Sequence, residues 1–189
     1  YTAAASLYPD NAAVADLAHA QNALVGYVHP FDLAPQPRRD PIITNELPID
    51  VALGKVDYYE VVGFSNHNES ASVWYRLLNC GFRLPAAGGT DAMTNYASLR
   101  GPVGLARTYV LPDAATDTSP LGRERAWLAG LKAGHSLATN GPLLGFTVED
   151  KGPGEDILLP KGEHTLHYKG WMRSLTTVTD LEVVMHGEV

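Results

Sequence analysis

Three short apolar runs, each ending in small or polar residues and separated by helical patterns, limit this chain more than any other feature. Leu24-Val25-Gly26-Tyr27-Val28 stops at His29-Pro30, Val56 to Val62 carries a single charge at Glu60, and Arg83 to Gly89 runs into Thr90-Asp91. Strands apolar on both faces belong to parallel sheets covered on both sides. The intervening text reads as helix. Asn11 caps a stripe of Val14, Leu17 and Ala18 that ends near Gln21, and Pro48 opens a short helix with Ile49, Ala52 and Leu53 as its apolar face. Ser70 to Asn79 places Val73, Trp74, Leu77 and Leu78 inward and stops at Gly81. Leu105 to Leu111 is a fourth strand candidate. Ser119-Pro120 starts a helix carrying Leu121, Trp127, Leu128 and Leu131, closed by Gly134. This order predicts βα units, hence an α/β fold with a parallel sheet.

The character changes after Asn140-Gly141-Pro142. Gly145 to Glu149, Ile157 to Leu159, His164 to Tyr168 and Thr176 to Met185 are strand-like runs broken by Gly, Pro and Asp. We expect an α/β unit over residues 1–141 and the start of an all-β, sandwich-like module over 142–189. The chain begins at Tyr1 and stops just after a strand-like run, so both ends read as cuts through a longer polypeptide.

With 45% hydrophobic and 19% charged residues the chain is globular. Lys and Arg number 14 against 21 Asp and Glu, a formal net charge of −7, which argues against a nucleic-acid partner. No apolar run is long enough to span a membrane, and no signal-peptide pattern is present. One cysteine, Cys80, excludes an internal disulfide and any multi-cysteine metal site. It is expected to pack beside its helix end. An acidic chain with one Cys and a β module is compatible with export but does not fix the compartment or the oligomeric state.

Carboxyl ends of parallel strands converge on one face, and that face carries the site. Here they present His29, Glu60 and Asp91, with His67 in the loop after the second strand. An imidazole with two carboxylates suits a divalent ion such as Zn, Mn or Fe, and a bound ion makes water nucleophilic at neutral pH. Each residue also has a plainer reading. His29 could end a strand with its hydrogen bond satisfied, Asp91 could cap a turn, and Glu60 could pair with Arg107. His67 suits a solvated loop as well as a substrate contact, and His135 could complement a helix dipole.

Several segments resemble a known family. Gly26-Tyr27-Val28-His29-Pro30-Phe31, Val56-Asp57-Tyr58-Tyr59-Glu60-Val61-Val62-Gly63 and Gly88-Gly89-Thr90-Asp91-Ala92 look like later motifs of the polymerase and histidinol phosphatase (PHP) superfamily. Trp74 to Asn79, Gly81 to Pro85, Arg107 to Val110, and Gly134-His135-Ser136 leading to Thr139-Asn140-Gly141-Pro142 resemble its carbaryl-hydrolase-like (CehA/McbA) branch. About three quarters of the chain is covered, in the same segment order.

The resemblance implies the C-terminal portion of a distorted (β/α)7 barrel that binds two or three metal ions. It implies a metal-dependent hydrolase of ester, carbamate or phosphoester bonds in small-molecule substrates, acting through metal-activated water. His29 matches a metal-binding His-Pro motif, and Asp91 the Asp of a closing Asp-x-His motif. Glu60 is then the group that orients a ligand or the reacting water, with His67, Arg107 and His135 as substrate contacts. Two departures stand out. Position 93 is Met where that motif has His, a poor ligand for hard ions. The early His-x-His motif is absent, its place falling before Tyr1. A part of the barrel alone is expected to be inactive. The alternative is a non-catalytic relative serving as a glycan- or protein-binding module, and Met93 favours it. The loop from Phe31 to Pro41, with three further prolines and Arg38 and Arg39, is expected to be a stiff cover over the site or simply solvated.

Overall fold

The computed structural model describes residues 10–31, 46–64, 66–93, 101–112 and 117–189. Its first layer is a parallel sheet in the order β1 (Gly26–Tyr27), β2 (Tyr58–Val62), β3 (Ala86–Gly88), in register Gly26↔Tyr58 and Tyr59↔Ala86. The three predicted runs form these strands, each shorter than its apolar text. Helices α1 (Asn11–His19), α2 (Leu47–Ala52) and α3 (His67–Asn79) alternate with them. The Phe31 to Pro41 loop lies outside the described residues apart from Phe31 itself, so neither reading of that loop is addressed.

Side chains alternate along β2 and divide its labour. Tyr59 faces the hydrophobic core formed with Phe31, Leu47, Val51, Val73, Leu77 and Leu84, with Val61 packed against it. Tyr58 and Glu60 take the opposite face, where the Tyr58 ring lies over side-chain-free Gly26. Tyr59 is fully buried, and its hydroxyl donates to the Ser70 carbonyl at 2.8 Å. The register of β2 against β3 slips between Glu60 and Val62. Such an irregularity bends a strand and re-aims its side chains.

The helices follow the expected pattern with local differences. Asp10, one residue before Asn11, caps α1 by accepting from the Ala13 N–H at 2.7 Å. Asn66 caps α3, which therefore starts at His67 and not at Ser70, and Val73 and Leu77 are buried as predicted. In α2 the inward pair is Leu47 and Val51, one turn apart, while Ile49, Ala52 and Leu53 are exposed. The expected apolar face of α2 is thus rotated outward, because Leu47 and Val51 already fill the space beside Tyr59. Cys80 is exposed, not packed. Helix α4 (Pro120–Ala133) has the predicted Ser119 cap, Pro120 at its first turn, and Gly134 at φ +84° as its stop.

The fourth predicted strand does not join the parallel sheet. β4 (Arg107–Val110) pairs antiparallel with β5 (Ser136–Thr139), a strand that sequence patterning did not suggest. This pair is tied to β3 at two points. Thr108 Oγ1 accepts from the Gly88 N–H at 2.8 Å and donates to its carbonyl, and Ser136 Oγ donates to the Ala86 carbonyl at 2.7 Å.

Beyond residue 142, β6 (Leu143–Val148) and β7 (Tyr168–Arg173) form an antiparallel pair. The strand-like text at Ile157–Leu159 forms no strand, His164–Tyr168 reaches β7 only at Tyr168, and Thr176–Met185 contributes only an isolated bridge at Met185, since an apolar pattern becomes a ladder only against a partner edge. Among the described residues no helix is long and apolar enough to cross a membrane.

Candidate functional site

Glu60 is the centre of the arrangement. It is 5% exposed, and its Oε2 accepts the backbone N–H of His29 at 2.6 Å. Burial pushes its carboxyl above the usual range; the His29 N–H and imidazole oppose the shift, and the Asp91 carboxylate adds to it. His29, Glu60 and Asp91 therefore feel one another at the carboxyl ends of the sheet, as the strand-end reading expected.

Two glycines make room for that carboxylate. A Cβ on Gly63 would lie 2.6 Å from Glu60 Cδ, and one on Gly89 2.8 Å from its Oε1. Atoms that close would have to move. These glycines are the site residues that sequence reasoning missed. The signal was there in the Gly63 ending β2 and the Gly-Gly pair ending β3.

The flanking residues are held in an uncommon conformation. His29 (φ +46°) and Asp91 (φ +56°) are both left-handed, which costs of order 1–2 kcal/mol for a residue with a Cβ. Thr90 anchors the second: its Oγ1 accepts from the N–H groups of Gly104 (3.2 Å) and Ala106 (3.0 Å) and donates to the Ala106 carbonyl. His29 itself is exposed, and Asp91 is half-buried.

The predicted substrate residues separate into two groups. Arg107 lies beside the carboxyl end of β3, its carbonyl 2.8 Å from where a Gly88 Cβ would stand. Its guanidinium is 5.8 Å from the Tyr109 ring centroid, and it forms no ion pair with Glu60 among the described contacts. His67 opens α3 in the connection leaving the end of β2, so it belongs to a helix turn and not to a solvated loop. His67 Nδ1 and Arg107 Nε are buried without a hydrogen-bond partner among the described residues. His135 is elsewhere. It precedes Ser136, which bonds Ala86 at the first residue of β3, so it sits at the opposite, amino end of the sheet.

An imidazole nitrogen with two carboxylates is a donor set suited to Zn, Mn or Fe. Among the described residues, however, no three or more His, Cys, Asp and Glu side chains converge closely enough to hold an ion. The donors fit such an ion in kind and fall short in number. Met93, two residues after Asp91, is 39% exposed. Comparison with protein-family models, with curated proteins and with solved structures finds no match.

Proposed function

We propose that the chain carries part of a metal-dependent hydrolase site at the strand ends of a PHP-type barrel, acting on ester, carbamate or phosphoester bonds. The observation that carries this reading is the buried Glu60 carboxylate between His29 and Asp91, both in left-handed backbone. Strain at the ends of the two strands that flank β2, around an acid with a raised pKa, is the kind of arrangement that catalytic sites use.

In this reading His29 and Asp91 supply ligands to a divalent ion, with the remaining ligands coming from outside the described residues. The ion would supply its usual chemistry, a lowered pKa for a water at neutral pH. Glu60 is a positioning residue that fixes the backbone of His29. Arg107 and His67, each with a buried nitrogen that has no hydrogen-bond partner among the described residues, are the candidate substrate contacts in this reading. His135, at the other end of the sheet, has no part in it.

The test is a screen of carboxyl, carbamate and phosphate esters with the native polypeptide, before and after chelation and metal return. Hydrolysis that disappears with chelator, returns with Zn or Mn and falls at least tenfold in Asp91→Ala is expected. Hydrolysis indifferent to chelation contradicts the reading.

Met93 and the shortfall of ligands favour a second reading, a relative without catalysis that keeps the scaffold as a glycan- or protein-binding module. Met93→His separates the two: gain of hydrolysis supports the enzyme lineage, and saturable glycan or protein binding by a parent and variant that both lack hydrolysis supports the binding role.

A further inference from the structure

On the far side of α3 from the sheet lies a cavity of about 430 Å³ with three walls from distant parts of the sequence. One wall is the flank of α3, with Tyr75 and with Trp74, which also packs against the core and donates its indole N–H to the Leu84 carbonyl at 2.7 Å. The second is the β6–β7 pair, with Phe146, Tyr168 and Trp171. The third is the segment from Leu181 to Gly187, which carries Glu182. That segment is fastened to α3: Asn79 Nδ2 donates to the His186 carbonyl at 2.8 Å, and Gly187, at φ +88°, packs against Tyr75.

The rings of the β6–β7 wall, Phe146, Tyr168 and Trp171, are all exposed. The Trp171 indole lies over side-chain-free Gly145, yet the residue stays 57% exposed, so its other face is open. Phe146 and Tyr168 form a tilted pair with centroids 5.8 Å apart, and Trp74 and Tyr75 another at 5.3 Å. The lining carries one carboxylate and one imidazole, Glu182 and His186. Glu182 is the only Asp, Glu, Lys or Arg among the lining residues, and it has no ion-pair partner among the described contacts. Its carboxylate is felt by Tyr75, whose phenol burial and that charge push upward.

A volume of this size is that of a small-molecule site. Several ring faces attract a cation through their quadrupoles, and the Glu182 carboxylate adds attraction, with no Lys or Arg in the lining and His186 as its one imidazole. A sugar would ask for a fringe of hydrogen-bonding side chains, and these walls are mostly apolar. We propose that this cavity binds small organic cations, a quaternary or alkylated ammonium group carried on an apolar body, at a site separate from the strand ends.

Tryptophan emission reports on it directly, since two of the three tryptophans line the cavity and the third, Trp127, is on α4. The probes are choline and its uncharged isostere 3,3-dimethyl-1-butanol, titrated at neutral pH with the Trp127→Phe protein. The expected result is a saturable change with choline and at least threefold weaker binding of the alcohol. Glu182→Gln should weaken choline about two- to fivefold, the size of a partly exposed charge contact, and leave the alcohol unchanged. Trp171→Ala should weaken choline further; circular dichroism that matches the parent keeps this informative. Equal affinity for the two probes, or no saturable response to choline, overturns the proposal. Concentration-dependent sedimentation without a response to either probe also overturns it, by making the walls a contact between copies.

Discussion

The backbone N–H of His29 donates to the side chain of Glu60 at 2.6 Å, so the residue that ends one strand is held by a buried acid on its neighbour. Position 29 is thereby fixed in left-handed backbone without using its imidazole. The same carboxylate occupies the space left by Gly63 and Gly89, which ties three strand ends to one side chain.

Glu60→Gln keeps an oxygen acceptor for that N–H while removing a charge that burial opposes. At neutral pH the variant should melt at the parent temperature or about 2 °C above it. Glu60→Ala deletes the acceptor and should cost about 1–3 kcal/mol in urea unfolding. Equal loss in both variants would show that the charge itself is stabilising.

Gly89→Ala should destabilise by about 1–3 kcal/mol, because its methyl would sit 2.8 Å from Glu60 Oε1. In the Gly89→Ala/Glu60→Ala double variant the obstacle is gone, so the two costs should sum to less than their separate values. Strict additivity would mean that the glycine serves some other contact.

At the amino end of the sheet, Asp57 holds α1 and β1 together. Its Oδ2 accepts from the Val25 N–H and meets His19 Nε2, both at 2.8 Å, and Lys132 is 3.5 Å from Oδ1. Burial opposes its charge, but the Val25 N–H, His19 and Lys132 outweigh burial and hold the carboxyl below its ordinary value of 3.8. A depressed acid stabilises the fold above the unfolded value and loses that contribution as pH falls through the folded one. Urea midpoints of the parent should therefore drop more steeply below about pH 4 than those of Asp57→Asn. Parallel curves would contradict this assignment.

Tyr59→Phe removes only the hydroxyl that donates to the Ser70 carbonyl in the core. The expected cost is about 1–2 kcal/mol, with no change in the secondary-structure spectrum. A neutral substitution would mean that the carbonyl finds another donor.

Much of the scaffold was legible in the sequence because local rules decide it. The Ser119-Pro120 start and Gly134 stop of α4, and the inward Val73 and Leu77 of α3, follow from capping chemistry and helical spacing. What was not legible depends on partners distant in the chain. Arg107–Val110 looks like any buried strand, and only its pairing with Ser136–Thr139 makes it antiparallel. The α2 face turned the other way because Phe31 and Tyr59 accept Leu47 and Val51. At the site, strand-end logic brought His29, Glu60 and Asp91 to one place. Motif position put His135 with them, but the reversal of chain direction at β5 carries it to the other end.

The central claim is that His29 and Asp91 hold a divalent ion, and metal content per chain by elemental mass spectrometry addresses it most directly. The native polypeptide, after metal loading and exhaustive dialysis, should retain at least one equivalent of Zn, Mn or Fe. His29→Ala and Asp91→Ala should each lose it while keeping a cooperative melt. Less than about a tenth of an equivalent in the parent, or unchanged content in both variants, would contradict the account.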